Sequence, residues 1–297
     1  MYLVFDIGGT DIKYAYLDED GNIHQKDKFS SKSIDSLDAF VTMVQRIYKQ
    51  GSSIKGIALS CPGVIDSEAG VIEIVAAYPF LQKQPLTKIL SEACDDVPVS
   101  LENDGKCAAL AEVWIGNAKD CQDAIVAVFG TGIGGAIIKN KKVHHGAHRF
   151  AGEISTMITS YDFKNNHFVT WSDTSSMTAL CKQVAAALSK DIKEVDGYFI
   201  FEEANNNNPV VLDILEAFYQ SIAIQLVNLQ YVYDPEIICI GGGVSQQPRV
   251  LEGIQRALDQ IIQDKSQLLS PKVTTCKYFN DANLIGALYR FKQIYSI

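Results

Sequence analysis

Leu3-Val4-Phe5-Asp6-Ile7-Gly8-Gly9-Thr10-Asp11-Ile12-Lys13-Tyr14-Ala15-Tyr16-Leu17 is a short apolar run, a glycine turn and a second β-like run, and its reading decides the fold. Glycines directly after a buried strand let backbone N–H groups approach an anion closely, so such a turn can cradle phosphate oxygens. The run after this turn has a strand pattern, whereas a dinucleotide-binding glycine loop opens a helix. GxxxxGK[ST] is absent as well, and both the P-loop and the dinucleotide folds are disfavoured.

The same pattern returns about 120 residues later, a spacing that suggests duplicated lobes and not a solenoid. Ala124 to Phe129 is apolar, Gly130-Thr131-Gly132 turns, and Gly135 to Ile138 returns as a strand after Ile133-Gly134. A third cluster, Gly241-Gly242-Gly243, ends the strand pattern Glu236 to Ile240. One such turn is explained by a tight hairpin; three at strand ends are harder to explain that way.

Between these turns, Leu37, Phe40, Val41, Val44, Ile47 and Tyr48 fall at helical spacing. Ile54 to Leu59 reads as a buried strand broken by Pro62-Gly63 at its carboxyl end, the edge where open α/β sheets bind ligands. Val97 to Leu101 is another strand, followed by Glu102-Asn103-Asp104 and a helix starting close to Asp104. From Met177 the pattern is mostly helical, with a long stretch over Val210 to Tyr233 and a last helix carrying Leu284, Ile285, Leu288 and Phe291. The fold class read from this order is α/β. The expected lobes are residues 1–116 and 117–280, with the terminal helix 281–297 packing back on the first.

Composition agrees with two globular domains: 297 residues, 47% hydrophobic and 21% charged. A net charge of −9 works against any phosphate backbone, so nucleic acid is not an expected partner. Seven scattered cysteines without a CxxC pair read as reduced thiols. The N-terminal residues lack a basic n-region and a cleavage site, and no uninterrupted apolar run reaches the roughly 18 residues of a membrane span. The expectation is a cytoplasmic, unprocessed protein without membrane association.

Asp6 to Lys13 (DIGGTDIK), Pro62-Gly63, Glu102-Asn103-Asp104, Gly130 to Ile137 (GTGIGGAI), Gly152-Glu153-Ile154 and Gly241-Gly242-Gly243 occur in the order and spacing of the ROK family of sugar kinases and sugar-responsive repressors, which the chain resembles over nearly its whole length. The resemblance implies the actin-like, hexokinase-like ATPase fold of two related lobes around a central cleft, with ATP held between them and a hexose phosphorylated in the cleft. By resemblance, Asp6 positions Mg²⁺ through water, and Gly8, Gly9, Thr10 and Lys13 meet the β- and γ-phosphates. Thr131, Gly132 and Gly134 belong to the second phosphate turn, and Gly241, Gly242 and Gly243 pack the adenosine. Asp104 is the expected general base, with Asn103, Pro62, Gly63 and Glu153 binding the sugar, whose 6-hydroxyl is the implied acceptor. Phosphoryl transfer asks a protein for positioning, charge neutralisation and such a base. As a single residue at a helix start, Asp104 also fits an N-cap. Family members are often dimers, which makes a homodimer part of the implication.

The chain departs from the family pattern in one region. Many members place a histidine three residues after the glutamate and then a CxCGxxGC cluster, and these bind zinc. Here Thr156 stands at the histidine position and no cysteine lies between Ile158 and Leu180, so no zinc site is expected. His144, His145 and His148 form the only histidine cluster and read as surface loop residues. The family's second sugar glutamate aligns with Ser172 or Asp173. A pocket open at the sugar's C1 and C2 end follows, suited to a β-glucoside or N-acetylmannosamine as well as glucose. A sugar-binding sensor without catalysis is the alternative, and it would be expected to lack Asp104 or the phosphate turns. A repressor would need a DNA-binding module ahead of residue 6.

Overall fold

The computed structural model describes residues 1–297. The chain runs β1 (Tyr2–Ile7), β2 (Asp11–Leu17), β3 (Ile23–Ser30), α1 (Leu37–Tyr48), β4 (Ile57–Cys61), β5 (Val64–Asp66), β6 (Val71–Ile74), α2 (Leu86–Ala93), β7 (Val99–Asn103) and α3 (Asp104–Trp114). It continues as β8 (Ala124–Phe129), β9 (Ile133–Lys139), β10 (Lys142–Val143), β11 (Ile158–Asp162), β12 (His167–Thr170), α4 (Trp171–Ser175), α5 (Met177–Ala187), α6 (Gly197–Asn205) and α7 (Pro209–Tyr233). It ends with β13 (Ile237–Gly241), α8 (Pro248–Asp264), β14 (Val273–Thr275) and α9 (Ala282–Tyr295). Two compact units divide it, Met1–Lys119 with Lys141–Phe150 and Asn280–Ile297, and Asp120–Asn140 with Ala151–Phe279. The first therefore takes in both the terminal helix and a ten-residue segment between β9 and Ala151.

In the first unit the sheet order is β3-β2-β1-β4-β7. β1 pairs antiparallel with β2 and parallel with β4, which pairs parallel with β7. β1, β4 and β7 are buried along their whole length because both faces are covered, as is usual for parallel strands; β1 and β4 are mostly apolar, while β7 carries Ser100, Glu102 and Asn103. Alternation sends Phe5, Ile7, Leu59 and Leu101 to one face, where they pack with Phe40 and Val44 of α1 and Leu86 and Leu90 of α2. The opposite face carries Asp6, Ser60 and Glu102 and is covered by α9.

In the second unit the order β9-β8-β13-β14 repeats that plan: an antiparallel hairpin whose inner strand pairs in parallel with a third, itself parallel to a fourth. α7 is its central helix. By length and hydropathy it could cross a membrane, but Val211, Leu215, Phe218, Ile222 and Leu226 are buried in the unit's core, where it packs on α5 and α8. Apolar periodicity in a core helix and in a spanning helix looks alike by composition.

Two strands sit later than their apolar runs imply. The strand expected at Ile54 to Leu59 is Ile57–Cys61, and that expected at Val97 to Leu101 is Val99–Asn103. Pro98 has no N–H to give a ladder, though its carbonyl accepts from Ile57 N–H at 2.9 Å. The shift brings Glu102 and Asn103 into β7. The hairpin β11 to β12 forms where no element was expected; its tip is an aromatic cluster, with Tyr161 4.8 Å from Phe163 and 4.9 Å from Phe168 between ring centres.

Candidate active site

Register in the first unit builds a polar row on the α9 face. Lys13 stands opposite Asp6, Asp6 opposite Ser60, and Ser60 opposite Glu102. Asp6 Oδ1 accepts from Ser60 Oγ at 3.0 Å and Asn283 Nδ2 at 2.9 Å, and Oδ2 accepts from Lys13 Nζ at 3.3 Å. Asp6 is 5% exposed, so three donors hold a carboxylate that burial alone would disfavour. Ser60 and Asn283 were not foreseen. A single serine inside the buried run Ile57-Ala58-Leu59-Ser60-Cys61 was the available signal for the first.

The turn after β1 is fixed from outside. Gly8 N–H donates to the Asp11 carbonyl at 3.1 Å, and the Gly8 carbonyl accepts from Tyr78 OH at 2.5 Å. Ser31 Oγ donates to the carbonyls of Gly9 and Thr10 at 2.8 and 2.9 Å. With these carbonyls engaged, Gly9 and Thr10 are exposed and open space surrounds the position of a Gly9 Cβ.

At the far end of the row, Asn103 Nδ2 donates to the Gly63 carbonyl and to Asp104 Oδ1, both at 3.0 Å. Gly105 N–H also donates to Asp104 Oδ1, at 2.8 Å. Asn103 Oδ1 accepts Lys106 N–H at 3.1 Å, so Asn103 is the N-cap of α3 and Asp104 its first helical residue. This corrects the capping reading of Asp104: β7 runs two residues further than its apolar pattern and gives the cap to Asn103. Gly63, after Pro62, has φ +102°, and a Cβ there would lie 2.1 Å from the Ile74 carbonyl oxygen. Between Asp6 and Asp104 lies buried Cys61 at the end of β4, whose thiol is pushed up by burial and then by the charges of Asp104 and Asp6.

Glu102, fully buried, was not foreseen as more than part of a motif. Its Oε2 accepts from Ser67 Oγ at 2.7 Å and lies 3.0 Å from His145 Nε2 and 3.3 Å from Arg290 Nε. His145 is thus a partly buried partner and not the surface residue its loop suggested, since the segment after β10 folds onto β7. Arg149 of the same segment pairs with Asp66. A cavity of about 210 Å³ lies beside them, lined by Asp66, Ser67, Glu68, His145 and Arg149 among others.

In the second unit, Gly130-Thr131-Gly132 is a tight turn, with Gly130 N–H donating to the Gly132 carbonyl at 2.9 Å. Met177 N–H and Thr178 Oγ1, from the start of α5, donate to the carbonyls of Gly130 and Thr131 at 2.9 and 2.7 Å. Gly134 lies in β9 opposite Val128, outside the turn. Gly241 ends β13, Gly242 has φ +89°, and Gly243 opens a short 3-10 turn. Glu153 precedes the 3-10 turn Ile154–Thr156, whose Thr156 Oγ1 donates to the Glu153 carbonyl at 2.9 Å. Asp173 Oδ2 accepts Thr170 N–H at 2.9 Å and Thr170 Oγ1 at 2.7 Å, a capping box that commits this carboxylate to α4. No group of three or more His, Cys, Asp or Glu side chains is arranged to hold a metal ion.

A unit of this strand order occurring twice, with a glycine turn at the first hairpin of each copy and a buried aspartate before the first turn, defines an actin-like, hexokinase-like ATPase fold. Within that class the chain belongs to the ROK family, whose model matches residues 2–294. It is 31% identical to the β-glucoside kinase of Listeria innocua over 97% of this chain and 96% of that protein. The β-glucoside kinase of Klebsiella pneumoniae is 31% identical over 98% and 96%. Among solved structures, a ROK family protein from Streptococcus pneumoniae in complex with sucrose is 31% identical, with a TM-score of 0.91 over 99% of both chains.

Proposed function

We propose that this chain is an ATP-dependent sugar kinase that phosphorylates a hexose or a β-glucoside, at the 6-hydroxyl, with Asp104 as general base. The observation that carries the reading is the corner at the end of β7. One oxygen of the Asp104 carboxylate is held by Asn103 Nδ2 and Gly105 N–H. Such a carboxylate is oriented to take the proton of a hydroxyl as that hydroxyl attacks phosphorus. Asn103, Gly63 and Glu153 are assigned to hydrogen bonds with the sugar, and Pro62 to shaping the backbone before Gly63.

The residues present fit Mg²⁺ and ATP. Asp6 is a carboxylate already organised by three donors, and the exposed turn at Gly8, Gly9 and Thr10 is open toward its tip with Lys13 beside it. Thr131 and Gly132 present a second exposed turn braced by α5, and Gly241, Gly242 and Gly243 a third strand end. When bound, Mg-ATP supplies the phosphoryl group and the charge neutralisation that its transfer needs. The protein's own part is to hold the acceptor hydroxyl at Asp104.

Two features of the second unit support a substituent at C1. Thr156 replaces an imidazole with a short side chain turned to its own helix, and Asp173 is occupied by its capping box. By the resemblance these two positions are the family's contacts to the C1 and C2 end of the sugar, so both contacts would be missing here, and the likeness to β-glucoside kinases points the same way. A cytoplasmic location and a homodimer are part of the proposal; the seven free cysteines support the first, and sedimentation of the purified chain tests the second.

The deciding experiment is ADP release with Mg-ATP over glucose, N-acetylmannosamine, N-acetylglucosamine, cellobiose and gentiobiose, with Asp104→Asn beside the wild type. Sugar-stimulated turnover that the substitution removes is the expected result. Binding of a sugar without turnover in the wild type would make the chain a sensor.

A further inference from the structure

Glu102 is the carboxylate at the β7 corner that the proposed reaction does not use. It is fully buried, and four polar groups surround its carboxylate: Oε1 accepts Asn103 N–H at 2.8 Å, Oε2 accepts Ser67 Oγ at 2.7 Å and lies 3.0 Å from His145 Nε2, and the Arg290 guanidinium forms an ion pair with Oε2 at 3.3 Å. β7, the start of the β5 to β6 turn, the segment after β10 and α9 each contribute one group. Burial raises its carboxyl; the hydrogen bond and charge of His145, the Asn103 N–H and the charge of Arg290 outweigh that and hold it below the ordinary glutamate value. Packing does not account for such an arrangement, since well-packed apolar side chains in place of a buried ion pair are often neutral or stabilising.

What the charge holds is the peptide that aims Asn103. From that peptide the Asn103 side chain reaches the Gly63 carbonyl, Asp104 Oδ1 and Lys106 N–H together. The segment that supplies His145 is tied to the same corner a second time, because buried Lys106 in the first turn of α3 donates to the Arg149 carbonyl at 3.2 Å. We propose that Glu102 is a positioning residue for the sugar site: through Asn103 N–H it fixes the Asn103 side chain, and through that side chain Asp104 and the Gly63 carbonyl, while Ser67 and His145 hold Glu102 in place. The inference rests on the reading of Asn103 and Asp104 as sugar-site residues.

The test measures kcat, sugar KM and Mg-ATP KM for Glu102→Ala, Glu102→Gln, Ser67→Ala and His145→Gln, on the sugar that the panel selects. Glu102→Gln keeps an oxygen for Asn103 N–H, so it should rescue part of what Glu102→Ala loses. Expected for Glu102→Ala are a sugar KM raised about fivefold or more and a kcat lowered about tenfold or more, with Mg-ATP KM within about twofold of wild type. Ser67→Ala and His145→Gln move the same two quantities by less. A merely structural role lowers the active fraction and the melting temperature and leaves both KM values alone. Sugar KM and kcat within about twofold of wild type in folded Glu102→Ala overturn the inference, as does the same result in both Ser67→Ala and His145→Gln if Glu102→Ala does not fold. Wild-type turnover in Asp104→Asn removes the base assignment by itself; Glu102 is judged on sugar KM, which the aim of Asn103 controls whichever group is the base.

Discussion

Asp6 and Glu102 occupy the same register row of one sheet, on either side of Ser60, yet their partners separate them into two clusters. Asp6 is held by Lys13, Ser60 and Asn283; Glu102 by Asn103, Ser67, His145 and Arg290. α9 serves both, with Asn283 near its start and Arg290 two turns on. A terminal helix that looks like a packing element thereby gives each of the two carboxylates a polar partner.

Asn283→Ala removes one of three donors to a buried carboxylate. A hydrogen bond to a charged group is worth about 1.5 to 3 kcal/mol, so the organisation of Asp6 should suffer by a comparable amount. The expected outcome is a Mg-ATP KM raised about tenfold with sugar KM within about twofold, the reverse of the pattern expected for Glu102. Titration of initial rates with each substrate checks it. Equal effects on both substrates would show that α9 acts on the corner as a whole.

Gly63→Ala puts a Cβ 2.1 Å from the Ile74 carbonyl oxygen at φ +102°. Backbone strain of this kind costs about 1 to 3 kcal/mol, and relieving the clash must move the carbonyl that Asn103 uses. A lowered melting temperature is expected together with a raised sugar KM. If denaturation shifts while sugar KM stays put, Gly63 matters for the turn alone.

The acid side of stability follows from Glu102. Its carboxyl is held below the ordinary value of 4.5, so the folded state binds this proton less readily than the unfolded state does. The stabilisation is present above 4.5 and is lost as pH falls below it through the folded value. Urea unfolding between neutral pH and pH about 3 should show a flatter loss in Glu102→Gln than in the wild type. Parallel curves would mean that other carboxylates carry the acid transition.

How much was legible in advance depends on whether the cause was local. The hairpin around Gly8-Gly9 and its repeat around Gly130-Thr131-Gly132 were readable because continuous apolar runs and glycine turns are local signals, and so was the place of Asp104 at the start of α3. Asn103 as the cap was missed because the boundary of β7 is set by pairing with β4, and apolarity did not mark it. The partners of Glu102 were missed for a different reason: Ser67, His145 and Arg290 are brought to it by the β5 turn, the loop after β10 and α9, and nothing in any one segment announces the other two. Thr170-x-x-Asp173 is a readable capping box, and it competes with the alignment of Ser172 or Asp173 to a sugar-binding glutamate.

That capping box gives the sharpest check on the proposal of an open C1 end. Asp173 Oδ2 satisfies both the N–H and the hydroxyl of Thr170, so Asp173→Ala, which leaves Thr170 as the N-cap, should destabilise the second unit by about 1 kcal/mol, the usual net worth of a lost hydrogen bond. Were the same carboxylate a sugar ligand, its loss would leave buried hydroxyls unpaired and cost affinity as well. The expected result is a lower melting temperature with glucose and cellobiose KM values unchanged within about twofold. A KM raised selectively for glucose would place Asp173 against the sugar after all and close the end of the pocket that the β-glucoside reading needs open.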